Sequence, residues 1–309
     1  MRFLMMFIVM IWLAGTATAD VQVTFEYDHM FGSRGNGQGQ FLDPEGLAID
    51  VQDAIFVADT GNDRIQKLTM DGVYIDEVGG FGWEGGQFNK PRDVAAGKGL
   101  ELYVADSRNQ RIQVFNLQLR LLAVIGGRGA TGSNELGTLG GIAISDADEI
   151  FVTDIDADQL MQIDTYSRTD RSFGGFGYGA GQVRRPLGLA LAGRERTYVC
   201  DSENDRIAVF DRFGNFQKSL GDDVLLQPAD VCAGPESTLI VADTGHHRIV
   251  VFDLKKGEVV AHLGGPDAGD GVMAFHSPQA VAMGKAGLLF VLDSGNGRIL
   301  RLKMRVLRR

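Results

Sequence analysis

A short apolar run that ends in aspartate occurs six times along this chain of 309 residues. Proline stands fifteen residues before the aspartate in five copies, and leucine stands there in the third. Successive aspartates are 42 to 50 residues apart, so length changes fall outside a core of fixed length. Such spacing indicates one structural unit repeated six times. The paired positions are Pro44 and Asp59, Pro91 and Asp106, Leu139 and Asp154, Pro186 and Asp201, Pro228 and Asp243, and Pro278 and Asp293.

Each repeat predicts four β-strands. An apolar strand follows the proline, and a second strand such as AIFVAD ends at the aspartate. A tight turn such as TGND leads to a third strand, RIQKL in the first repeat, and a further turn leads to a fourth. The fourth strand has its weakest pattern in the third repeat, near Phe173. Four short strands every 40 to 50 residues are typical of a β-propeller blade.

The two ends of the chain complete one blade between them. The sixth repeat stops after its third strand, near Lys303, whereas residues 21–30 (VQVTFEYDHM) are followed by the kind of Gly-rich loop that elsewhere follows a fourth strand. A ring closed in this way leaves no open edge between its first and last blades. We predict an all-β, six-bladed propeller of four-stranded antiparallel blades over residues 20–309, with the N-terminal strand closing the last blade.

The first nineteen residues have the pattern of a secretory signal peptide. Arg2 precedes an apolar run that is too short to cross a bilayer, and an Ala-Thr-Ala sequence before Asp20 is typical of a cleavage site. We therefore expect residues 1–19 to be removed, and the remainder to be exported to the periplasm or the medium. We expect no transmembrane anchor and a monomeric propeller.

The charge of the chain argues against a nucleic-acid partner. The net charge is −10, and loss of the signal peptide removes only Arg2, so −10 becomes −11. Phosphate binding needs clustered lysine and arginine. The one basic cluster lies in the last strand and tail, where we interpret it as a solvated strand face: Arg298, Arg301, Lys303, Arg305, Arg308 and Arg309.

The repeats resemble the NHL family of β-propellers over essentially all of residues 21–309. The resemblance rests on the G-x-G-x-x-x-x-P segments and on turns such as DTGNDRI (59–65) and DSENDRI (201–207). The third copy, DIDADQL (154–160), departs from it with Ala157 and Gln159 in place of asparagine and arginine. Because the Asp-Asn-Arg constellation recurs, we interpret it as structural support of the turns rather than as an active site.

Topology predicts which loops can cooperate in a site. In an antiparallel blade, the connections between blades and the turns between second and third strands lie on one face, which we call the loop-rich face. Residues beside the blade-starting prolines should line the channel mouth there. These candidates for a divalent cation or a polar ligand are Glu45, Arg92, Asp93, Asp230 and Gln279.

Aromatic residues and histidines of the loop-rich face are further binding candidates. Trp83 and Tyr178, together with Phe81 and Phe176, have no evident structural duty in their Gly-rich loops, although packing over glycine is the alternative interpretation. His246, His247 and His276 should share this face. Similar propellers with amidating-lyase activity hold zinc with histidines from separate blades, but two of these three histidines are adjacent in the chain.

Two weaker signals concern metals and thiols. Asp154, Asp156 and Asp158 copy the start of a calcium loop, but Gln159 and Thr165 replace its glycine and glutamate. Cys200 and Cys232 should lie where strands pack in neighbouring blades, either as a disulfide or as two buried thiols. We predict no cofactor, with calcium or zinc as the cations to consider.

The sequence is consistent with two functions. The first is an exported, non-catalytic scaffold that binds a protein or peptide through the loop-rich face. The second is a metal-dependent lyase or lactonase at the channel mouth, with Glu45, Asp93 and Asp230 as ligands and Arg92 as electrophile. RNA binding, which occurs in some NHL proteins, conflicts with export and with the negative charge.

Overall fold

The computed structural model describes residues 8–9, 21–129, 135–164, 169–192 and 196–308. These residues form twenty-five β-strands joined by turns and by short 3-10 helices. The strands group into six antiparallel sheets, five of four strands and one of five. The predicted six-bladed β-propeller is therefore confirmed.

The first two strands, β1 (Ile8–Val9) and β2 (Val21–Phe31), belong to the last blade, and blades 1 to 3 follow them in the chain. Blade 1 contains β3 (Gly46–Ile49), β4 (Ala54–Asp59), β5 (Arg64–Thr69) and β6 (Tyr74–Gly79). Blade 2 contains β7 (Pro91–Ala96), β8 (Glu101–Asp106), β9 (Arg111–Asn116) and β10 (Leu121–Gly126). Blade 3 contains β11 (Leu139–Ile144), β12 (Ile150–Asp154), β13 (Gln159–Ile163) and β14 (Thr169–Gly174).

Blades 4 to 6 repeat the same order from the inner to the outer strand. Blade 4 contains β15 (Pro186–Ala192), β16 (Arg196–Asp201), β17 (Arg206–Asp211) and β18 (Phe216–Leu220). Blade 5 contains β19 (Asp230–Gly234), β20 (Thr238–Asp243), β21 (Arg248–Asp253) and β22 (Glu258–Gly264). Blade 6 contains β23 (Pro278–Met283), β24 (Leu288–Asp293) and β25 (Arg298–Arg308), followed by β2 and β1.

Short 3-10 helices occupy two kinds of turn. Within the described residues, five of them lie between the second and third strands of a blade, at Thr60–Asn62, Ser107–Asn109, Ser202–Asn204, Thr244–His246 and Ser294–Asn296. Two others, Pro235–Ser237 and Lys285–Gly287, join the first and second strands of blades 5 and 6. Within the described ranges, no helix has the length and apolarity needed to cross a bilayer.

The core of the protein lies between blades rather than within any one of them. Each innermost strand contacts the innermost strand of the next blade, and β23 contacts β3, which closes the ring. A separate apolar cluster fills each of the six interfaces; between blades 1 and 2 it includes Phe56, Phe88 and Phe115. The second strands are buried on both faces because a blade packs against each side of them. No blade can bury its apolar faces alone.

The last blade is closed by the N-terminal strand, as predicted. β2 pairs antiparallel with β25 from Val21 opposite Arg308 to Phe31 opposite Ile299. Residues 1–19, the predicted signal peptide, lie outside the described residues, except for the short strand β1, whose backbone pairs with β2 at Phe25 and Glu26. Signal-peptide cleavage stays a prediction.

The basic strand β25 is more heavily paired than a solvated face would be. Arg301 Nε lies 2.6 Å from Asp28 Oδ2 on β2, and its Nη1 lies 2.7 Å from Asp71 Oδ1 in blade 1. Arg308 Nη2 lies 2.8 Å from Asp253 Oδ1 in blade 5. Lys303 and Arg305 are exposed, as predicted, and Arg309 lies outside the described residues. The strand thus links blade 6 to both of its neighbours.

Candidate functional site

The repeated aspartates and arginines fasten the Gly-rich loops to the blades. In blade 1, the buried Asp59 carboxylate accepts hydrogen bonds from Arg64 Nε at 2.7 Å and Asn62 Nδ2 at 2.9 Å. The other end of the Arg64 guanidinium donates to the carbonyl oxygens of Gly37 and Gln40 in the preceding loop. The same network recurs in blades 2, 4 and 6, which supports its structural interpretation.

Blade 3 lacks this arginine and satisfies its aspartate in another way. Asp154 accepts backbone N–H groups from Gly137, Asp156 and Ala157 at 3.1 to 3.2 Å. Its pKa is raised because burial disfavours the carboxylate. Asp158 accepts the backbone N–H of Arg185 instead, and Thr165 lies outside the described residues. The aspartates that copy the start of a calcium loop therefore accept hydrogen bonds from separate groups of the protein.

The structure brings the five predicted channel residues together at one mouth. Glu45, Arg92, Asp93, Asp230 and Gln279 line the same space, which has room for about one or two water molecules. Arg92 Nε lies 2.9 Å from Glu45 Oε2, so this pair links blades 1 and 2. Across the described residues, no group of three or more His, Cys, Asp or Glu side chains is arranged to hold a metal ion.

Asp93 and Asp230 occupy the same repeat position in blades 2 and 5, on opposite sides of the ring. Each carboxylate accepts a backbone N–H from the following blade, Asp93 from Ile142 at 2.8 Å and Asp230 from Val281 at 2.9 Å. Two glycines that were not predicted as site residues make room for these carboxylates. A Cβ atom at Gly46 would lie 2.8 Å from Asp93 Oδ1, and one at Gly188 would lie 2.3 Å from Asp230 Oδ1.

Burial changes the acidity of this pair. Desolvation raises the pKa of Asp230 to about 7. Desolvation and then repulsion by Asp230 raise the pKa of Asp93 well above its ordinary value. The two side chains keep some solvent contact through the narrow mouth, but protein atoms surround them on the other sides. The charged forms of both carboxylates therefore cost folding free energy at neutral pH.

We expect the protein to become more stable as the pH falls from about 8 to about 5. The folded state then binds a proton at Asp230 that the unfolded state, with a pKa of 3.8, does not bind. One such proton contributes up to about 1.4 kcal/mol per pH unit. The pKa of Asp253 is lowered, so this group makes the protein less stable as the pH falls, but only at pH values near and below 3.8.

Urea unfolding of Asp230→Asn at several pH values measures this effect. The variant should lose part of the slope of unfolding free energy against pH, whereas the exposed control Asp267→Asn should keep the wild-type slope. Equal slopes in all three proteins would contradict the binding of a proton at Asp230 in the folded state.

The predicted histidines lie near one another but have different partners. The rings of His247 and His276 are in edge contact, with centroids 5.7 Å apart. His247 Nδ1 lies 3.0 Å from the backbone nitrogen of Ser277, and His246 Nδ1 lies 3.0 Å from Asp243 Oδ2. His246 therefore takes the place that asparagine has in the other networks. The predicted role of these histidines in binding stays a prediction.

The four candidate aromatic side chains project from two loops. Phe81 and Trp83 lie in the loop entering blade 2 and are 61% and 58% exposed; Phe176 and Tyr178, in the loop entering blade 4, are 66% and 68% exposed. The rings of Phe81 and Trp83 meet edge to face at 5.5 Å. Arg184 donates to the Tyr178 hydroxyl and lies over its ring. Packing over glycine therefore does not bury these rings.

The two cysteines are free thiols in neighbouring blades. Cys200 is buried and Cys232 is half-buried. Burial raises the pKa of both thiols well above the ordinary value of a cysteine, and the negative charge of Asp230 is the second cause. Protonated and enclosed thiols are poor nucleophiles, so we assign them to packing.

Comparison with known families identifies NHL repeats in the chain. The NHL repeat model matches residues 41–68, 88–115 and 225–252, in blades 1, 2 and 5. NHL repeat-containing protein 2 from Gallus gallus is 39% identical over 95 residues. That match spans 29% of this chain and only 13% of the relative. The chain therefore contains the repeats that its turn motifs resemble, and the matched segment corresponds to a small part of that relative.

Solved structures share the fold over most of the chain at low sequence identity. A protein of unknown function from Bacteroides thetaiotaomicron has a TM-score of 0.69 at 15% identity, covering 92% of this chain and 76% of that one. A catalytically inactive histidine-to-alanine variant of virginiamycin B lyase from Staphylococcus aureus with quinupristin has a TM-score of 0.61 at 13% identity, covering 91% and 85%. A chain of a nidogen/laminin complex has a TM-score of 0.57 at 17% identity, covering 71% and 79%. These likenesses concern the fold alone.

Proposed function

We propose that the chain is an exported, non-catalytic propeller that binds a protein or peptide partner through its loop-rich face. The observation that carries this proposal is the exposure of aromatic side chains at matching positions of two loops. Trp83 and Tyr178 are more than half exposed, although aromatic side chains gain most from burial. Export follows from the signal-peptide pattern of residues 1–19.

The position of these aromatics is specific to two loops. The matching backbone bridges Phe81–Phe88 and Phe176–Val183 align the two loops with each other. In the loops entering blades 1 and 6, the position of Trp83 is taken by Asn36 and Asp270. The repeat therefore does not require an aromatic residue there, which favours a role in recognition.

The loops that carry the aromatics are held in place before any partner binds. Arg111 donates to the carbonyl oxygens of Glu84 and Gln87, and Arg206 donates to those of Gly179 and Gln182. A side chain on a fixed loop loses less conformational freedom on binding. The Asp-Asn-Arg network thus supports recognition indirectly, by positioning exposed rings.

Photo-crosslinking tests this proposal, with Leu100 as a matched control. Leu100 has the same exposure as Trp83, 58%, but lies in the turn between β7 and β8, on the opposite face. A photoreactive residue replacing Trp83 or Tyr178 should capture a partner from the native envelope or medium, and one replacing Leu100 should not.

The captured partner then allows an affinity measurement. Trp83→Ala should weaken its binding about tenfold or more, as removal of a buried aromatic anchor does. Leu100→Ala should leave the affinity within about twofold. Equal capture at both faces, or capture at Leu100 alone, would refute binding through the loop-rich face.

A metal-dependent lyase or lactonase at the channel mouth is the alternative function. The observation in its favour is the pair of acidic side chains, Asp93 and Asp230, beside an arginine. Arg92, however, forms an ion pair with Glu45, so the proposed electrophile is already bound to one of the proposed metal ligands. Metal analysis of protein purified without chelator, followed by an activity assay with and without chelator, separates the two functions.

A further inference from the structure

The outer strand of blade 2 differs from the other outer strands in its side chains. β10 has the sequence LLAVIG and carries no charged residue, whereas the strand in the fourth position of each of the other five blades contains at least one. In blade 6 that strand is β2, and β1 pairs with its outer edge. Leu121, Leu122 and Val124 are 40%, 55% and 44% exposed. An uncharged, apolar strand with an unpaired edge is a template on which another strand can pair.

One position of the repeat that carries glutamate in blade 1 carries valine beside this edge. In blade 1, the residue opposite Gln66 is Glu77, whose carboxylate lies 2.9 Å from Arg64 Nη1. In blade 2, the residue opposite the equivalent Gln113 is Val124. The equivalent arginine, Arg111, donates to the carbonyl oxygen of Trp83 instead.

A groove lined in part by Val124 lies beside this edge, and it is open and partly apolar. It has a volume of about 590 Å³ and is lined by Trp83, Glu84, Val124 and Arg128, among others. The apolar surface continues beyond it, because the Leu121 side chain lies against Gly85 and the Phe81 ring contacts Trp83. Blade 2 thus carries a continuous exposed surface that runs from the strand edge to the loop-rich face.

We propose that the edge of β10 pairs with an extended peptide segment of a partner that has apolar side chains and acidic residues at its ends. Main-chain hydrogen bonds to the free edge would hold the segment, and the groove beside Trp83 would take a side chain. This inference rests on the proposed function because the ligand is a peptide in both. The site inferred here, however, lies along the side of blade 2.

The charges beside β10 favour a partner peptide with acidic ends over a second copy of the chain. Arg120 precedes β10 and Arg128 follows it, and both are exposed. Among the described residues, neither forms an ion pair with a carboxylate. Two copies of β10 paired antiparallel and in centred register would bring Arg120 of one close to Arg128 of the other, and like charges in facing positions repel. Acidic residues at both ends of a peptide meet these arginines favourably.

Binding of a synthetic probe tests the proposal. The probe is an acetylated peptide amide of alternating valine and threonine with one aspartate at each end; the comparison peptides carry lysine ends or N-methylated backbone groups. The aspartate probe should protect the amides of β10 from hydrogen exchange and change the fluorescence of Trp83. Lysine ends should weaken binding about tenfold, and N-methylation should abolish it.

Val124→Glu is the decisive variant because it restores the residue that blade 1 has at this position. The new carboxylate can pair with Arg111 as Glu77 pairs with Arg64, so we expect the variant to fold. It should weaken probe binding about tenfold or more, whereas Ile75→Glu, on the outer strand of blade 1, should change it less than about twofold.

The outcomes separate this inference from the proposed function. Failure of the probe to bind, or equal binding to Val124→Glu, would overturn the edge-strand inference while leaving crosslinking at Trp83 and Tyr178 untouched. A dimer of the full chain that Val124→Glu dissociates, detected by sedimentation, would also overturn it, because a second copy would then occupy the edge.

Discussion

Arg206→Ala is expected to lower the free energy of unfolding by about 3–5 kcal/mol. The arginine lies 2.8 Å from Asp201 Oδ2, and the Asp201 side chain is completely buried. Without the arginine, a buried carboxylate would lose its cation, and the loop carbonyl oxygens of Gly179 and Gln182 would lose a donor. Urea unfolding followed by circular dichroism measures the change.

Blade 3 supplies the matched control for this prediction. Gln159 stands at the position of Arg206, and the carboxylate of Asp154 is held by backbone N–H groups. Gln159→Ala should therefore cost less than about 1 kcal/mol. Equal losses in the two variants would show that the arginine contributes through packing rather than through its charge.

The pH dependence of the loss provides a second check. Burial already raises the pKa of Asp201, and removal of Arg206 should raise it further. The Asp201 carboxyl group of the variant should then bind a proton at mildly acidic pH, which relieves the unpaired charge. The loss in stability caused by Arg206→Ala should be smaller at about pH 5 than at about pH 8.

Phe25→Ala should also destabilise the protein by about 3–5 kcal/mol. Loss of the phenyl group would leave a cavity beside blade 6, where the N-terminal strand closes the propeller. Phe25 lies on β2 opposite Met304 of β25 and is buried in the cluster between blades 5 and 6. If the N-terminal strand joins the chain ends, its loss should affect the whole propeller and not only the terminus.

An exposed residue of the same strand serves as the control. Gln22→Ala should change the unfolding free energy by less than about 0.5 kcal/mol. Hydrogen exchange should show increased opening in β23 and β24 of Phe25→Ala, because their sheet loses its outer support. Increased exchange confined to residues 21–31 would contradict a role of β2 in ring closure.

Much of the candidate site could be predicted because the repeat fixes where each residue lies. Residues one or two positions after each blade-starting proline, such as Arg92 and Asp230, had to meet at the channel mouth once the ring had six blades. The exposure of Trp83 could not be predicted, since packing over glycine was equally consistent with its loop. Its exposure depends on which side chains the neighbouring strands leave beside it.

Two further features of the structure were not predicted. The network of Arg301 with Asp28 and Asp71 joins residues more than 200 positions apart, and nothing in the local pattern of β25 indicates it. The glycines that make room for Asp93 and Asp230 have a sequence signal only in retrospect: Gly46 and Gly188 occupy the aspartate position in the preceding blades. A single chain without its fold gives no distance between such residues.

The sequence by itself determined the number of blades, the order of their strands and the loops that share one face, because these follow from local periodicity and a fixed repeat length. Tertiary structure decided which carboxylates are buried together, which arginines are paired and which apolar edge stays open. Those properties depend on contacts between blades, and an energy of desolvation or packing exists only once the neighbouring blade is present.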